Sequence, residues 1–355
     1  MNALRMRLMA ELKEMIAALE PRVQGNPTAM LGLARMLQKD EQREKAHAMC
    51  RAALTPDNAQ LAAQASLLIS QTVPQWHFDI VRDHVRNAAY DAALRRAVTP
   101  TSRVLEIGTG TGLLAMMAAR AGAAAVITCE IIPAIAEKAA EIVARNGYAN
   151  RIRVVAKASD LLDAEADMGG RADILVSEIV SNNLLSEGVL PAHERAVRDL
   201  LKPGARVIPA RGKVRVALAN DSGETQSLTQ IAGFDLSTFN ALARPRRPIR
   251  IGDERLTLHS DPADLFVFNL ASAQYCVPSR ASVACRSTGG DVNGIAQWIA
   301  LELDEVTHYE NRPGVAVKSA WPVVFHSFQH SIHTVPDQEL RIYGAHDRDD
   351  LTIWT

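Results

Sequence analysis

The chain has 355 residues, with 39 lysines and arginines set against 40 aspartates and glutamates, for a formal net charge of −1. Hydrophobic residues make up 48% and aromatics only 5%. That supports a large packed core and argues against a nucleic-acid stacking platform or an anionic membrane as a partner. The four cysteines are scattered with no CxxC pair and no nearby paired histidines, so no metal site or disulfide framework is expected, and a reducing, cytoplasmic setting is.

The first twenty residues carry basic groups but are interrupted by Glu11, Glu14 and Glu20. An amphipathic helix is expected there rather than a signal peptide, and no apolar stretch reaches membrane-spanning length. Residues 1–72 read as a helical extension with apolar spacing near 3.6. Within it, Ala46 to Asn58, with its alanines and Pro56, looks like the second half of a tetratricopeptide pair, although a plain helical extension explains the same letters. A continuous helix is expected from Pro74 to Ala97, with Ile80, Val81 and Val85 on its buried side. From Val104 onward, short apolar runs alternate with helical patterns, which implies a doubly wound parallel sheet over residues 73–210. After Pro203-Gly204 strand-like segments follow one another, so residues 211–355 are expected to form an antiparallel, β-barrel-like domain. An arm near 221–249 is expected to project from it, and Arg244-Pro245-Arg246-Arg247-Pro248 in that arm reads as a solvated basic loop. The fold class is therefore α/β, a Rossmann-like domain followed by a β-barrel-like one.

The strongest local signal is Val104-Leu105-Glu106-Ile107-Gly108-Thr109-Gly110-Thr111-Gly112-Leu113-Leu114. An apolar strand enters a glycine-rich turn and then a helix, so a ligand can approach the backbone closely. The spacing is GxGxG rather than the GxGxxG of dinucleotide sites. Glu106 in the strand is tolerable beside a cationic sulfonium but not beside a phosphate. Glu130 ends the next strand, eighteen residues past Gly112, where its carboxylate is placed to accept from both hydroxyls of a ribose. These features favour S-adenosyl-L-methionine as the cofactor. The loop Lys157-Ala158-Ser159-Asp160 after the third strand is a candidate for its adenine end; a solvated loop is the alternative.

After the fourth strand, Glu178 and Glu187 bracket a polar segment nine residues apart. Two converging carboxylates suit a planar cation with several N–H donors, such as a guanidinium. They also suit methyl transfer, since they hold the attacking nitrogen in line and draw positive charge away from it.

These residues resemble the protein arginine methyltransferase family. Glu178 to Glu187 is similar to its double-glutamate loop, Val104 to Leu114 to its first cofactor motif, and His77 to Asn87 to the helix that covers the cofactor. The resemblance implies that Arg86 pairs with the methionine carboxylate, that His77 is another cofactor contact, and that Ile80 and Trp321 border the substrate. Gly233-Phe234-Asp235-Leu236-Ser237 is similar to the family's dimerisation arm, which implies a homodimer acting on proteins or peptides with exposed arginine. The details look most like the monomethylating (type III) branch and its type II relatives with N-terminal tetratricopeptide regions. One departure is Ser319-Ala320-Trp321 where the family usually has Thr-His-Trp. A guanidine-bearing small molecule or biosynthetic peptide as acceptor, and a catalytically weak cofactor-binding scaffold, are the alternatives.

Overall fold

The computed structural model describes residues 14–39, 42–54, 58–223, 228–314 and 319–355. Four helices open the described chain: α1 over 14–23, α2 Pro27–Lys39, α3 Arg43–Ala52 and α4 Ala59–Gln71. Leu31, Ala34, Cys50, Ala53, Ala65 and Leu68 form one buried cluster among the last three of them. The Asn58 side chain caps α4 by accepting from the Leu61 amide at 3.0 Å, satisfying a donor the helix itself leaves unpaired. The expected helices are present, but nothing in their packing distinguishes a tetratricopeptide unit, and residues 55–57 of the proposed motif lie outside the described residues.

The single helix expected from Pro74 to Ala97 is instead two, α5 Trp76–Ile80 and α6 His84–Ala97. Asp83 causes the break. Its backbone is extended and its carboxylate accepts from the Arg86 amide at 2.9 Å, so it starts a new helix. The new start resets the helical phase. The buried stripe of α6 is Arg86, Ala89, Tyr90, Ala93, Leu94 and Ala97, whereas Val85 is 51% exposed, contrary to expectation. Ile80 is buried as expected.

A five-stranded parallel sheet follows, in the order β3-β2-β1-β4-β5. Its strands are β1 Arg103–Ile107, β2 Ala125–Cys129, β3 Ile152–Val155, β4 Ala172–Ser177 and β5 Leu201–Ile208. Helices α7 Leu113–Arg120, α8 Pro133–Arg145 and α9 Val189–Arg195 connect them. Strands are laid outward from β1 to β3, and the chain then returns to the other side of β1. That reversal between β1 and β4 opens a crevice at the strands' C-terminal ends. The His47 ring on α3 lies 2.9 Å from the Glu137 carboxylate on α8, tying the helical extension to this domain.

The rest of the chain builds an eight-stranded antiparallel sheet. Its frame is β6 Arg211–Asp221 with two 24-residue strands, β12 Ser279–Glu302 and β14 Val323–His346. The register of the long pair shifts at Arg286/Thr288 and at Val292/Gly294, which lets such long strands bend. At Gly294 a Cβ would collide with the Phe325 ring, so only glycine allows that close approach. Among the strand-like segments expected after Pro203-Gly204, that from Ile299 to Leu303 coincides with the end of β12 and that from Trp321 to Phe328 with the start of β14. The arm holds the short hairpin β7 Gln230–Ile231 with β8 Phe234–Asp235, then a turn of 3-10 helix at Ser237–Leu242. The basic run that follows is a loop only at Arg244 and Pro245, and it stays largely exposed. Arg246–Ile249 is strand β9, paired with β14.

Candidate active site

Two cavities adjoin at the C-terminal edge of the parallel sheet. The first, of about 510 Å³, is walled by the β1–α7 turn, the end of β2, the loop after β3 and the α5 segment. The second, of about 480 Å³, lies between the β4–α9 loop and the antiparallel sheet. Glu178, Glu187, Trp76 and Ile80 border both, so these four mark the junction.

The first cavity gathers nearly all the residues expected there. His77, Arg86, Glu106, Gly108, Gly110, Leu113, Glu130, Ala158 and Ser159 all line it. Gly112 does not; it sits behind the wall as the residue that caps α7, at φ 79°. Gly108 and Gly110 also have positive φ, 84° and 51°, a region that favours residues without a Cβ. At Gly108 a Cβ would lie 2.6 Å from Ile179 Cγ2. Gly108→Ala is therefore expected to destabilise the fold by about 2 kcal/mol, read as a lower urea midpoint at unchanged slope.

Glu130 is buried and holds the turn in place. Its carboxylate accepts from the Gly110 amide at 3.1 Å and the Ile132 amide at 3.0 Å. Glu106 lies deeper, 1% exposed, and accepts from Thr128 Oγ1 at 2.5 Å. Burial pushes its carboxyl up to about 8, against the pull of that hydrogen bond. Neutral at physiological pH, Glu106 adds little charge to the wall it shapes.

Arg86 lines the first cavity and reaches a residue of the junction. Its guanidinium is buried, donates to Glu178 Oε2 at 2.7 Å and to Asn87 Oδ1 at 2.8 Å, and stands 5.1 Å over the Tyr90 ring. Its Nε–H is fully enclosed with no hydrogen-bond partner. Buried donors rarely stay unpaired, and Arg86 is among the residues that line the first cavity. Burial raises the carboxyl pKa of Glu178, the Arg86 guanidinium opposes that, and Glu187 adds to it. Glu187 has its surface on the cavities, yet the protein packed around it still desolvates its carboxyl enough to raise it to about 7.

Comparison with known proteins adds to this picture. Residues 91–208 match the profile of the ribosomal protein L11 methyltransferases. The chain is 37% identical over 265 residues to an arginine N(omega)-methyltransferase of Streptomyces achromogenes subsp. streptozoticus, covering 73% of each protein. The chain belongs to the arginine N-methyltransferase family. It is also 39% identical over 252 residues to protein arginine N-methyltransferase 7 of Drosophila grimshawi, covering 64% of this chain but only 35% of that protein. Among solved structures, the Trypanosoma brucei PRMT1 enzyme-prozyme complex with AdoHcy superposes with a TM-score of 0.70 at 20% identity, over 79% of this chain and 91% of that one. PRMT6 superposes at 0.62 and 20% identity, over 78% and 97%.

The methyltransferase also carries groups at its site that the sequence did not reveal. Tyr309, from the short strand β13 His308–Glu310, donates to the Asp83 carboxylate and lies 2.8 Å from Ser319 Oγ. The antiparallel domain thus grips the residue that caps α6 and thereby sets Arg86. His193 accepts from Ser177 Oγ at 2.6 Å and donates through Nδ1 to the Leu270 carbonyl at 2.9 Å. Burial lowers its pKa to about 4, so the neutral ring is a fixed strut against Ser177, the residue before Glu178. Trp321, expected at the site, borders only the second cavity, and its indole N–H donates to the Val180 carbonyl at 2.8 Å. Arg246, Arg247 and Gln297 border that same cavity.

Proposed function

We propose that this protein transfers the methyl group of S-adenosyl-L-methionine to the guanidinium of arginine, giving mono- or symmetric dimethylarginine, with Glu178 and Glu187 as its catalytic residues. The observation that carries this reading is the position of the two glutamates at the junction of a nucleoside-sized cavity and a second one. The chain spans about a third of the length of its protein arginine N-methyltransferase 7 relatives, so the activity rests on its own residues and not on theirs.

The residues of the first cavity fit the cofactor. In this reading Glu130 accepts from the ribose hydroxyls, Ala158 and Ser159 meet the adenine, and Arg86 pairs with the methionine carboxylate. His77, stacked on Trp76 at 3.8 Å between ring centroids, closes one side, and the backbone at Gly108, Gly110 and Leu113 forms the floor. The cofactor supplies an electrophilic methyl on a cationic sulfur. The protein does the rest. Glu178 and Glu187 take the guanidinium's N–H groups, localise its charge away from the attacking nitrogen and hold that nitrogen at the junction. As the N–C bond forms, a nitrogen proton leaves to a carboxylate oxygen, and a carboxyl poised near neutrality is suited to receive it.

The raised glutamate pKa values give a signed prediction. The ionised forms bind a cation and the neutral acids do not, so kcat/KM for the acceptor is expected to rise with pH through about 7, where Glu187 ionises, and to go on rising through about 8, where Glu178 does. A flat profile between about pH 5.5 and 8.5 would remove Glu187 from this role.

Homodimerisation through the arm is part of the same reading. Phe234, Phe239 and Leu242 are 70%, 63% and 73% exposed, an apolar cluster that a second copy would cover. A cytoplasmic location accords with four free cysteines. Among the described residues no helix is long and apolar enough to cross a membrane, and no cluster of three metal-ligating side chains occurs.

A further inference from the structure

The second cavity carries opposite charges in different places. The glutamates border both cavities and so mark the inner end, next to the cofactor's space. Arg246 and Arg247 border only the second cavity and so lie beyond that junction. Ile80, Trp76, Trp321, Ala320 and Pro322 supply apolar wall as well. A ligand that fits has a cation at one end, methylenes, and an anion at the other.

Both arginines are anchored by an aspartate. Asp350 holds Arg246 through two hydrogen bonds of 2.8 and 2.7 Å. Asp221, itself 5% exposed, pairs with Arg247 Nη2. Arg247 also lies over the Phe325 ring at 5.1 Å. Its Nε and Nη1 have no partner among the described residues. Such an anchored fork with free donors is preorganised for a carboxylate.

The geometry points to a carboxylate subsite at Arg247, flanked by Arg246, that selects free L-arginine as the acceptor. This rests on the methyl-transfer reading above and names the substrate class of that same site. An arginine within a peptide has an amide where free arginine has its α-carboxylate. Its binding forgoes the charge-assisted pair that the α-carboxylate makes with the Arg247 donors, and that missing pair discriminates against it.

The test compares kcat/KM for three acceptors with S-adenosyl-L-methionine as donor: L-arginine, agmatine, which is arginine without the carboxylate, and a capped peptide with one internal arginine. L-Arginine is expected to exceed both others by about 100-fold. Arg247→Leu is expected to lower the value for L-arginine about 100-fold and that for agmatine less than about threefold, so agmatine turnover also reports whether the variant is folded. Agmatine or the peptide matching L-arginine in the unaltered protein would overturn the subsite, and so would equal losses on L-arginine and agmatine in the variant. Both outcomes leave arginine methylation standing. Transfer to none of the three, with cofactor still bound, would instead overturn the methyl-transfer reading and the subsite with it.

Discussion

Glu178→Gln is expected to lower kcat by about 1,000-fold while changing the affinity for S-adenosyl-L-methionine less than about threefold. The amide has the same shape, so the fold and the hydrogen bond from Arg86 Nη2, now 2.7 Å to Glu178, survive the change. What disappears is one of two negative charges at the junction of the cavities. A guanidinium set between the substituted amide and Glu187 would meet an N–H donor where it needs an acceptor, and its charge would no longer be drawn from the reacting nitrogen. Radiolabelled methyl transfer gives the first quantity and calorimetric titration the second. Activity within about tenfold of the unaltered protein would remove Glu178 from catalysis.

Arg86→Ala is expected to act on both halves of the site. Its guanidinium is 4% exposed and is the cation that offsets the burial of Glu178. Without it, the Glu178 carboxyl rises further and more of the protein carries a neutral acid at pH 7. The first cavity loses a lining guanidinium, including its enclosed Nε–H, as well. Cofactor affinity should fall about 100-fold, the scale of truncating one partner of a buried charged contact, and kcat should fall with it. Arg86→Lys should not restore either value, because an ammonium cannot present the planar fork that spans Glu178 and the first cavity together. Unchanged cofactor affinity in the alanine variant would show that the carboxylate is held elsewhere.

Much of this arrangement was legible in the sequence, because local rules governed it. Strand β1 and the turn at Gly108, Gly110 and Gly112 are fixed by an apolar run meeting residues that tolerate positive φ. The alternation that follows gives the parallel sheet, and Glu106 and Glu130 fall where that sheet puts them. The misses have non-local causes. Asp83 reads as one more polar residue in a helix until its carboxylate is seen capping the Arg86 amide. The 24-residue strands read as fragments because bulges near Thr288 and Gly294 break their alternation. Arg246 and Arg247 look like a solvated loop by composition, and only their pairing with β14 brings them to a cavity. Tyr309 lies more than two hundred residues from Asp83, a separation that no periodicity spans.

The two cavities share one wall and differ in the other. The glycine turn, Glu130 and the Ser159 loop line only the first, whereas the second is closed on its far side by Arg246, Gln297 and Trp321 of the antiparallel domain and on its near side by the β4–α9 loop. A change in which molecule receives the methyl group can therefore accumulate on that far side without altering how the donor is gripped. Diversification of acceptors across such proteins needs no matching reinvention of the donor half, and engineering of this one can begin on β9, β12 and the Trp321 turn alone.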